Sequence, residues 1–492
     1  MLGNGSSFLR VSGTELVDDA GTPVKLYGIG IAGLLTMENW ITGFPGHEDG
    51  QRMAVLHALG PELGEFFFDR FIEHFFTDAD AAYLASLGLN MVRVPFHYRF
   101  LERDDAPFEI REEGFKYLDR IVRMCARHGI RTMLDLHVAP GWQNQDWHCD
   151  NPTHTAEFWR HRHFQDRLLN LWKAIAAHYK ADPWVLGYNP MNEPGDPTGN
   201  QVGPFSLRLV ETIREIDQNH IIFLDGNRFA IDFHVFGDPH PLPNVVYSPH
   251  FYPPPCFTPD ARYPGDVRLI QVYVPEEGKR AEAPPAVQFW DQAEVERYFL
   301  ERTAYVRQTG TPIVVGEFNA VFPGDPEIDQ MRLNLLAHGL DNFHKYSASW
   351  TYWSYKDVGL AAPLTVAPDS PWVTRLRPVL DKKARLAVDH WGGRRQNIAQ
   401  VLDPVREVFA KEFPTYYPFP WGSEFMIDRL IPHILFASAM LPEFGELFRG
   451  MTEGEIDEMM RSFRLENCQP RQDLVALLSA AAARTDDYDK HI

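Results

Sequence analysis

Two short apolar runs in this chain end in a carboxylate. V-L-G-Y-N-P-M-N-E-P (Val185–Pro194) carries Glu193 directly behind a buried-strand pattern, and V-V-G-E-F (Val314–Phe318) carries Glu317 in the same way. Other apolar runs end in Arg93, in His137, and in His250 with Tyr252, while Trp350 and Trp353 share a further one. A packed core gives no reason to set so many polar groups at successive strand ends. Two facing carboxylates in unlike environments suit cleavage of a glycosidic bond. One protonates the leaving oxygen and the other attacks the anomeric carbon. Arg93 and a hydrogen bond from Tyr252 would keep Glu317 ionised, whereas desolvation would leave a proton on Glu193. Asn192, being neutral, can donate to a sugar 2-hydroxyl without adding charge beside the acid.

Such a constellation needs a scaffold that brings distant strand ends together. Candidate strands are Val24–Gly30, Asn90–Pro95, Thr132–His137, Val185–Asn192, Ile221–Asp225, Val245–His250, Ile313–Glu317 and Ser349–Ser354. Between most of them lie stretches such as Gly114–His128 and Phe164–Tyr179, with apolar residues recurring at three and four. That spacing predicts helices covering a sheet. Eight strands alternating with helices predict an α/β fold, a (β/α)₈ barrel whose strands are buried on both faces. A doubly wound open sheet would carry a Gly-rich phosphate turn after an early strand, and the sequence has none. The enlarged segments Ala139–His163 and Tyr252–Pro285 follow strand ends, so they belong to the C-terminal face, where barrels build active sites. Beyond about Leu360 the alternation stops. Helices are expected over Gln396–Ala410, Met426–Ala439, Thr452–Phe463 and Asp473–Ala483, the third opened by a Thr452/Glu455 capping box. The division expected is a catalytic barrel over residues 1–395 and a helical extension over 396–492, docked rather than tethered because no Ser/Gly linker separates them.

Composition narrows the classes. A net charge of −20 disfavours nucleic acid and anionic membrane surfaces as partners. No run of 18 apolar residues is present, so no membrane span is expected. Cys125, Cys149, Cys256 and Cys468 show no metal or disulfide spacing. Together with an N-terminus that lacks a signal-peptide pattern, this predicts a cytoplasmic protein. His148, His154, His161 and His163 crowd the third loop around Cys149, but their spacing matches no standard metal pattern, so surface or sugar-contacting roles are expected. Glu38–Glu48 follows the first strand and is expected at the rim of the pocket. Oligomeric state is not legible.

Y-N-P-M-N-E-P resembles the acid/base motif of glycoside hydrolase family 5, the cellulase family of (β/α)₈ barrels. V-R-V-P-F at Val92–Phe96, D-L-H-V-A-P-G at Asp135–Gly141, S-P-H-F-Y at Ser248–Tyr252, V-V-G-E-F and W-T-Y-W-S-Y-K-D at Trp350–Asp357 resemble its other signatures, in family order. The resemblance implies Glu193 as acid/base and Glu317 as nucleophile. It implies Arg93 supporting the nucleophile, Asn192 on the 2-hydroxyl and His137 near the sugar. His250 and Tyr252 would flank the carboxylates, and Trp353 would be the stacking platform, with Trp350 in barrel packing. It further implies retention of anomeric configuration, with the carboxylates about 5–5.5 Å apart, and no metal or organic cofactor. A carbohydrate or glycoside is the expected substrate and exo-action on short substrates the expected mode. Endo-acting glycanase, glycosylceramidase-like hydrolase and non-catalytic carbohydrate-binding barrel are the alternatives.

Overall fold

All eight apolar runs form strands, and these join one parallel sheet. In the computed structural model, which describes residues 7–258, 260–268, 287–388, 391 and 393–484, they are β1 (Tyr27–Gly30), β2 (Met91–His97), β3 (Arg131–Val138), β4 (Val185–Asn189), β5 (Ile221–Leu224), β6 (Val245–Tyr247), β7 (Val314–Phe318) and β8 (Ser349–Trp353). Their order is β7-β8-β1-β2-β3-β4-β5-β6. The two ends of that row meet just beyond β6, where the Gly316 amide donates to Pro249 O at 3.0 Å and the Phe251 amide to Glu317 O at 2.8 Å. A side chain at Gly316 would forbid this closure, since its Cβ would lie 2.6 Å from Ser248 Oγ. The fold is a (β/α)₈ barrel. The expected helices appear as Phe115–Arg127 and Arg162–Tyr179, within two residues of the apolar-period boundaries.

The barrel's lower end is plugged. An N-terminal hairpin, Arg10–Ser12 with Glu15–Val17, brings Leu9 and Leu16 against Met91, Met133, Leu186, Ile221 and Val314 at the strand starts. That apolar stopper leaves the C-terminal ends as the place for polar chemistry.

The C-terminal segment holds the expected helices as Ala399–Glu412, Ser423–Glu446, Glu453–Met460 and Gln472–Ala482, and the Thr452/Glu455 capping box is formed. It also supplies a strand that periodicity did not reveal. Cys468–Pro470 pairs antiparallel with Leu364–Val366, three residues being too few for an alternation to register. Ser423–Glu446 is long and apolar enough to cross a membrane by composition. In the structure it lies against Glu48–Leu59, and its Arg429 and His433 are buried within the protein.

Lys356, just past β8, is wholly buried and ties three elements together. Its Nζ pairs with Asp80 and donates to Phe75 O and Phe463 O, both at 2.8 Å. Lys356→Met would leave the Asp80 carboxylate buried with only the Tyr355 hydroxyl and local cap bonds. Removing one partner of a buried pair costs about 3–5 kcal/mol. A clear fall in the denaturant midpoint is the expected result, and an unchanged midpoint would show that the pair holds nothing together.

Candidate active site

The chain leaves β4 at Asn189, and Glu193 follows with φ of 44°, a left-handed conformation unusual for a side chain of this size. Both its backbone groups are held there. The amide donates to Asp225 Oδ2 at 2.9 Å, and the carbonyl accepts from Asn144 Nδ2 at 2.9 Å. A strained residue costs about 1–3 kcal/mol and persists where its surroundings over-determine it. Here the loops after β3 and β5 do so, and the carboxylate comes to rest between His250 and His148.

Glu317 comes from β7 on the opposite wall. Arg93 Nη1 donates to its Oε1, and the Tyr252 hydroxyl donates to its Oε2 at 2.8 Å. Arg93 is fixed in turn by Asn189 Oδ1 at 2.8 Å, Asn192 Oδ1 at 2.7 Å and Asp135 Oδ2 at 3.1 Å. A guanidinium with four acceptors in a buried site is an immobile positive charge beside Glu317. One oxygen of each glutamate and a ring nitrogen of His250 lie within 4.8 Å of one another. A cation could use these donors only by breaking existing bonds, because His250 Nδ1 sits 2.6 Å from Glu193 Oε1 and both Glu317 oxygens are engaged.

His137 lies at the end of β3, its Nδ1 2.9 Å from Asp135 and its Nε2 3.3 Å from Asn192 Nδ2. Burial, with Arg93 and His148 nearby, holds it well below the usual imidazole range, so it is a neutral ring. Trp353 stacks on that ring at 5.0 Å and 12°, and is itself buried. Trp350 packs outside, against Tyr27 and Phe318. The structure thus gathers Glu193, Glu317, Arg93, His137, Asn192, His250, Tyr252 and Trp353 at one end of the barrel.

One expectation needs correcting. Desolvation was to leave a proton on Glu193 before the first step, and burial does push that way, but two histidines overcome it. His148 Nε2 is 3.2 Å from Oε2, and His250 holds Oε1, so the carboxyl is drawn below its usual range. Burial opposes the charge on both rings, yet the bond to Glu193 pushes His148 up to about 9, and Glu317, Asp225 and Glu193 together push His250 up to about 9. Without substrate, the protons of this group reside on imidazoles.

His148 was expected at the surface or on sugar, and the structure leaves it partly exposed, its Nε2 against the Glu193 carboxylate. Its only sequence signal was the density of Trp, Asn and His after β3. Glu38, from the segment expected at the rim, is buried. It accepts from Trp40 Nε1 at 2.8 Å and Trp353 Nε1 at 3.2 Å, and burial pushes its carboxyl up to about 7. Asp135 and Asp225 are likewise pushed up to about 7 by burial, against the opposing charges of Arg93 and His250. Trp391 adds an aromatic wall, stacked on Trp40 at 5.3 Å and edge-on to Tyr252 at 5.6 Å. Of the segment Tyr252–Pro285, residues 259 and 269–285 lie outside the described residues.

A family model described as cellulase (glycosyl hydrolase family 5) matches residues 65–359. A β-xylosidase of Phanerodontia chrysosporium is 40% identical over 490 residues, covering 97% of this chain and 98% of that protein. An endoglucanase C of Acetivibrio thermocellus is 24% identical over 330 residues, covering 59% of this chain and 86% of the relative. Among solved structures, an endogalactoceramidase superposes with a TM-score of 0.50 at 18% identity, over 76% of this chain and 78% of the other, a likeness of fold.

Proposed function

Since the chain belongs to glycoside hydrolase family 5, the cellulase family, we propose that it releases single xylose units from short β-xylosides with retention of configuration. That it is an O-glycosyl hydrolase follows from the family and from the full-length relative. The observation that carries the finer reading is the 40% identity to a β-xylosidase over 97% of this chain, a span that takes in the C-terminal segment as well as the barrel.

Retention is supported by the short reach between Glu193 and Glu317, within 4.8 Å at their nearest oxygens, which leaves no space for a water to attack from the far face. Glu317 attacks the anomeric carbon while Glu193 relays to the leaving oxygen a proton held on His250 or His148 in the free enzyme, giving a glycosyl ester and the free alcohol. Glu193 then takes a proton from water as that water displaces Glu317. Arg93 and Tyr252 stabilise Glu317 as anion and as leaving group, and Asn192 is placed for the 2-hydroxyl. Exo-action is supported by the covering of the catalytic face. Trp391 lies edge-on to Tyr252, and Arg429 of the C-terminal helix grips the third loop at Asp146. A cytoplasmic site of action belongs to the same proposal, supported by four free thiols, three of them buried.

A panel of 4-nitrophenyl glycosides tests the sugar. The β-xyloside is expected to exceed the β-glucoside in kcat/KM by roughly tenfold or more, the scale on which a pocket rejects one extra small group. Xylotriose should yield xylose from the first turnover. Preference for a hexoside, or early internal products, would refute the reading.

A further inference from the structure

Arg429 stands in the π-helical stretch Arg429–Phe436 of the long C-terminal helix, 283 residues from Asp146 in the third loop. The two form a buried fork. Nε donates to Asp146 Oδ1 at 2.8 Å and Nη2 to Oδ2 at 3.2 Å, while the guanidinium lies 3.7 Å from the Phe425 ring centre and 5.2 Å from that of Trp147. A two-point ion pair fixes direction as well as distance. Asp146 also opens the single turn Trp147–Cys149, accepting from the Trp147 amide at 3.3 Å. That turn carries His148 onto Glu193 Oε2. Trp421, from the same C-terminal segment, packs at 5.7 Å on Phe229, whose ring meets His148 at 5.7 Å. Two contacts from beyond the barrel therefore converge on one imidazole. Wide π turns recur in helices at functional sites, where they re-aim a side chain.

The geometry points to the C-terminal segment as part of the catalytic unit: through Asp146, Arg429 holds His148 on the carboxylate of Glu193, and both are positioning residues for the proton transfer. The inference rests on reading Glu193 as the acid/base. His250 holds Oε1 at 2.6 Å while His148 stands 3.2 Å from Oε2, so the more loosely held Oε2 is the oxygen that meets the leaving group, and His148 sets the direction in which it points. The titratable groups around His148 are Glu193, Glu38, Asp146, Asp135 and the neutral His137. The His148 cation holds the Glu193 carboxyl down. With a neutral side chain at 148 that carboxyl rises. The acid limb of kcat on a 2,4-dinitrophenyl glycoside, whose limiting second step needs Glu193 as an anionic base, then moves to higher pH. Loosening His148 through Arg429 moves it the same way.

The test uses the full chain with His148→Gln, Arg429→Met, Arg429→Lys and the double variant His148→Gln/Arg429→Met. On an alkyl β-glycoside, Arg429→Met is expected to lower kcat/KM roughly 10- to 100-fold, within what general acid catalysis contributes. On a 2,4-dinitrophenyl glycoside, which needs no acid, the loss should stay below roughly threefold. The acid limb of kcat on the 2,4-dinitrophenyl glycoside should shift upward in both His148→Gln and Arg429→Met, Arg429→Lys should recover part of the loss, and Arg429→Met should add less than roughly twofold on the His148→Gln background. Equal losses on both substrates with an unmoved pH profile, or no loss at all, would overturn the proposal. If Arg429→Met does not fold, Asp146→Asn takes its place with the same two outcomes. Azide rescue of Glu193→Ala, measured alongside, separates failure of this inference from failure of the acid/base reading.

Discussion

Glu317→Gln is expected to lower kcat/KM roughly 10⁵-fold, the scale of loss when a covalent nucleophile is removed, with the fold intact. The amide keeps the shape of the carboxylate, and Arg93 retains Asn189, Asn192 and Asp135 as acceptors, so little in the scaffold is left unpaired. What disappears is the charge. A neutral amide is too weak a nucleophile to reach the anomeric carbon, and the tyrosine hydroxyl that steadied an anion no longer has one to steady. The variant also removes a negative group 3.5 Å from His250 Nδ1. Part of the loss thus comes through the protonation of the group around Glu193. Intact-mass measurement with an activated 2-deoxy-2-fluoro glycoside separates the two contributions. The wild-type chain should gain one sugar mass on a peptide containing Glu317, and the variant should gain none. Full activity in the variant, or a label on another residue, would remove Glu317 from the nucleophile's role.

The barrel and its two carboxylates were readable because they depend on local pattern. A strand buried on both faces has to be apolar, so the eight runs stood out. A polar residue at the end of such a run is conspicuous against it, and this made Arg93, His137, Glu193, His250, Tyr252 and Glu317 visible one by one. His148 and Arg429 offered no such contrast. Their places follow from contacts between segments far apart in the chain, and from a loop whose path no periodicity constrains. The protonation of Glu193 was illegible for the same reason. Burial could be inferred from a strand end, but the second histidine that reverses its effect comes from the third loop. Glu38 shows the intermediate case. Its segment was recognisable as pocket rim from its Trp, Phe and Gly content, but only the two indole donors show that the carboxylate points inward.

Glu193→Ala is expected to divide substrates by leaving group. On alkyl glycosides and xylo-oligosaccharides the loss should be roughly 10³- to 10⁴-fold, the upper part of what a positioned acid contributes. A 2,4-dinitrophenolate departs without a proton, so Glu317 still forms the glycosyl ester and the first step is nearly spared. The second step then limits, because no base takes the proton from the incoming water. A burst of dinitrophenol followed by slow turnover should appear. Azide needs no base and fits the space freed by the side chain, so it should restore turnover and give a glycosyl azide. Its configuration carries the decision. A β-azide means that two displacements took place, with Glu317 as nucleophile and Glu193 as acid/base. An α-azide would mean a single displacement, which exchanges the roles of the two residues. His148 and His250 remain in the variant; with Glu193 gone His148 loses the carboxylate that chiefly holds its proton, while His250 keeps Asp225 beside it. If His148 could serve as base in its place, the slow phase would steepen as pH rises through the unperturbed imidazole range even without azide. A flat slow phase in that range, abolished only by azide, assigns the proton transfer to the carboxylate alone.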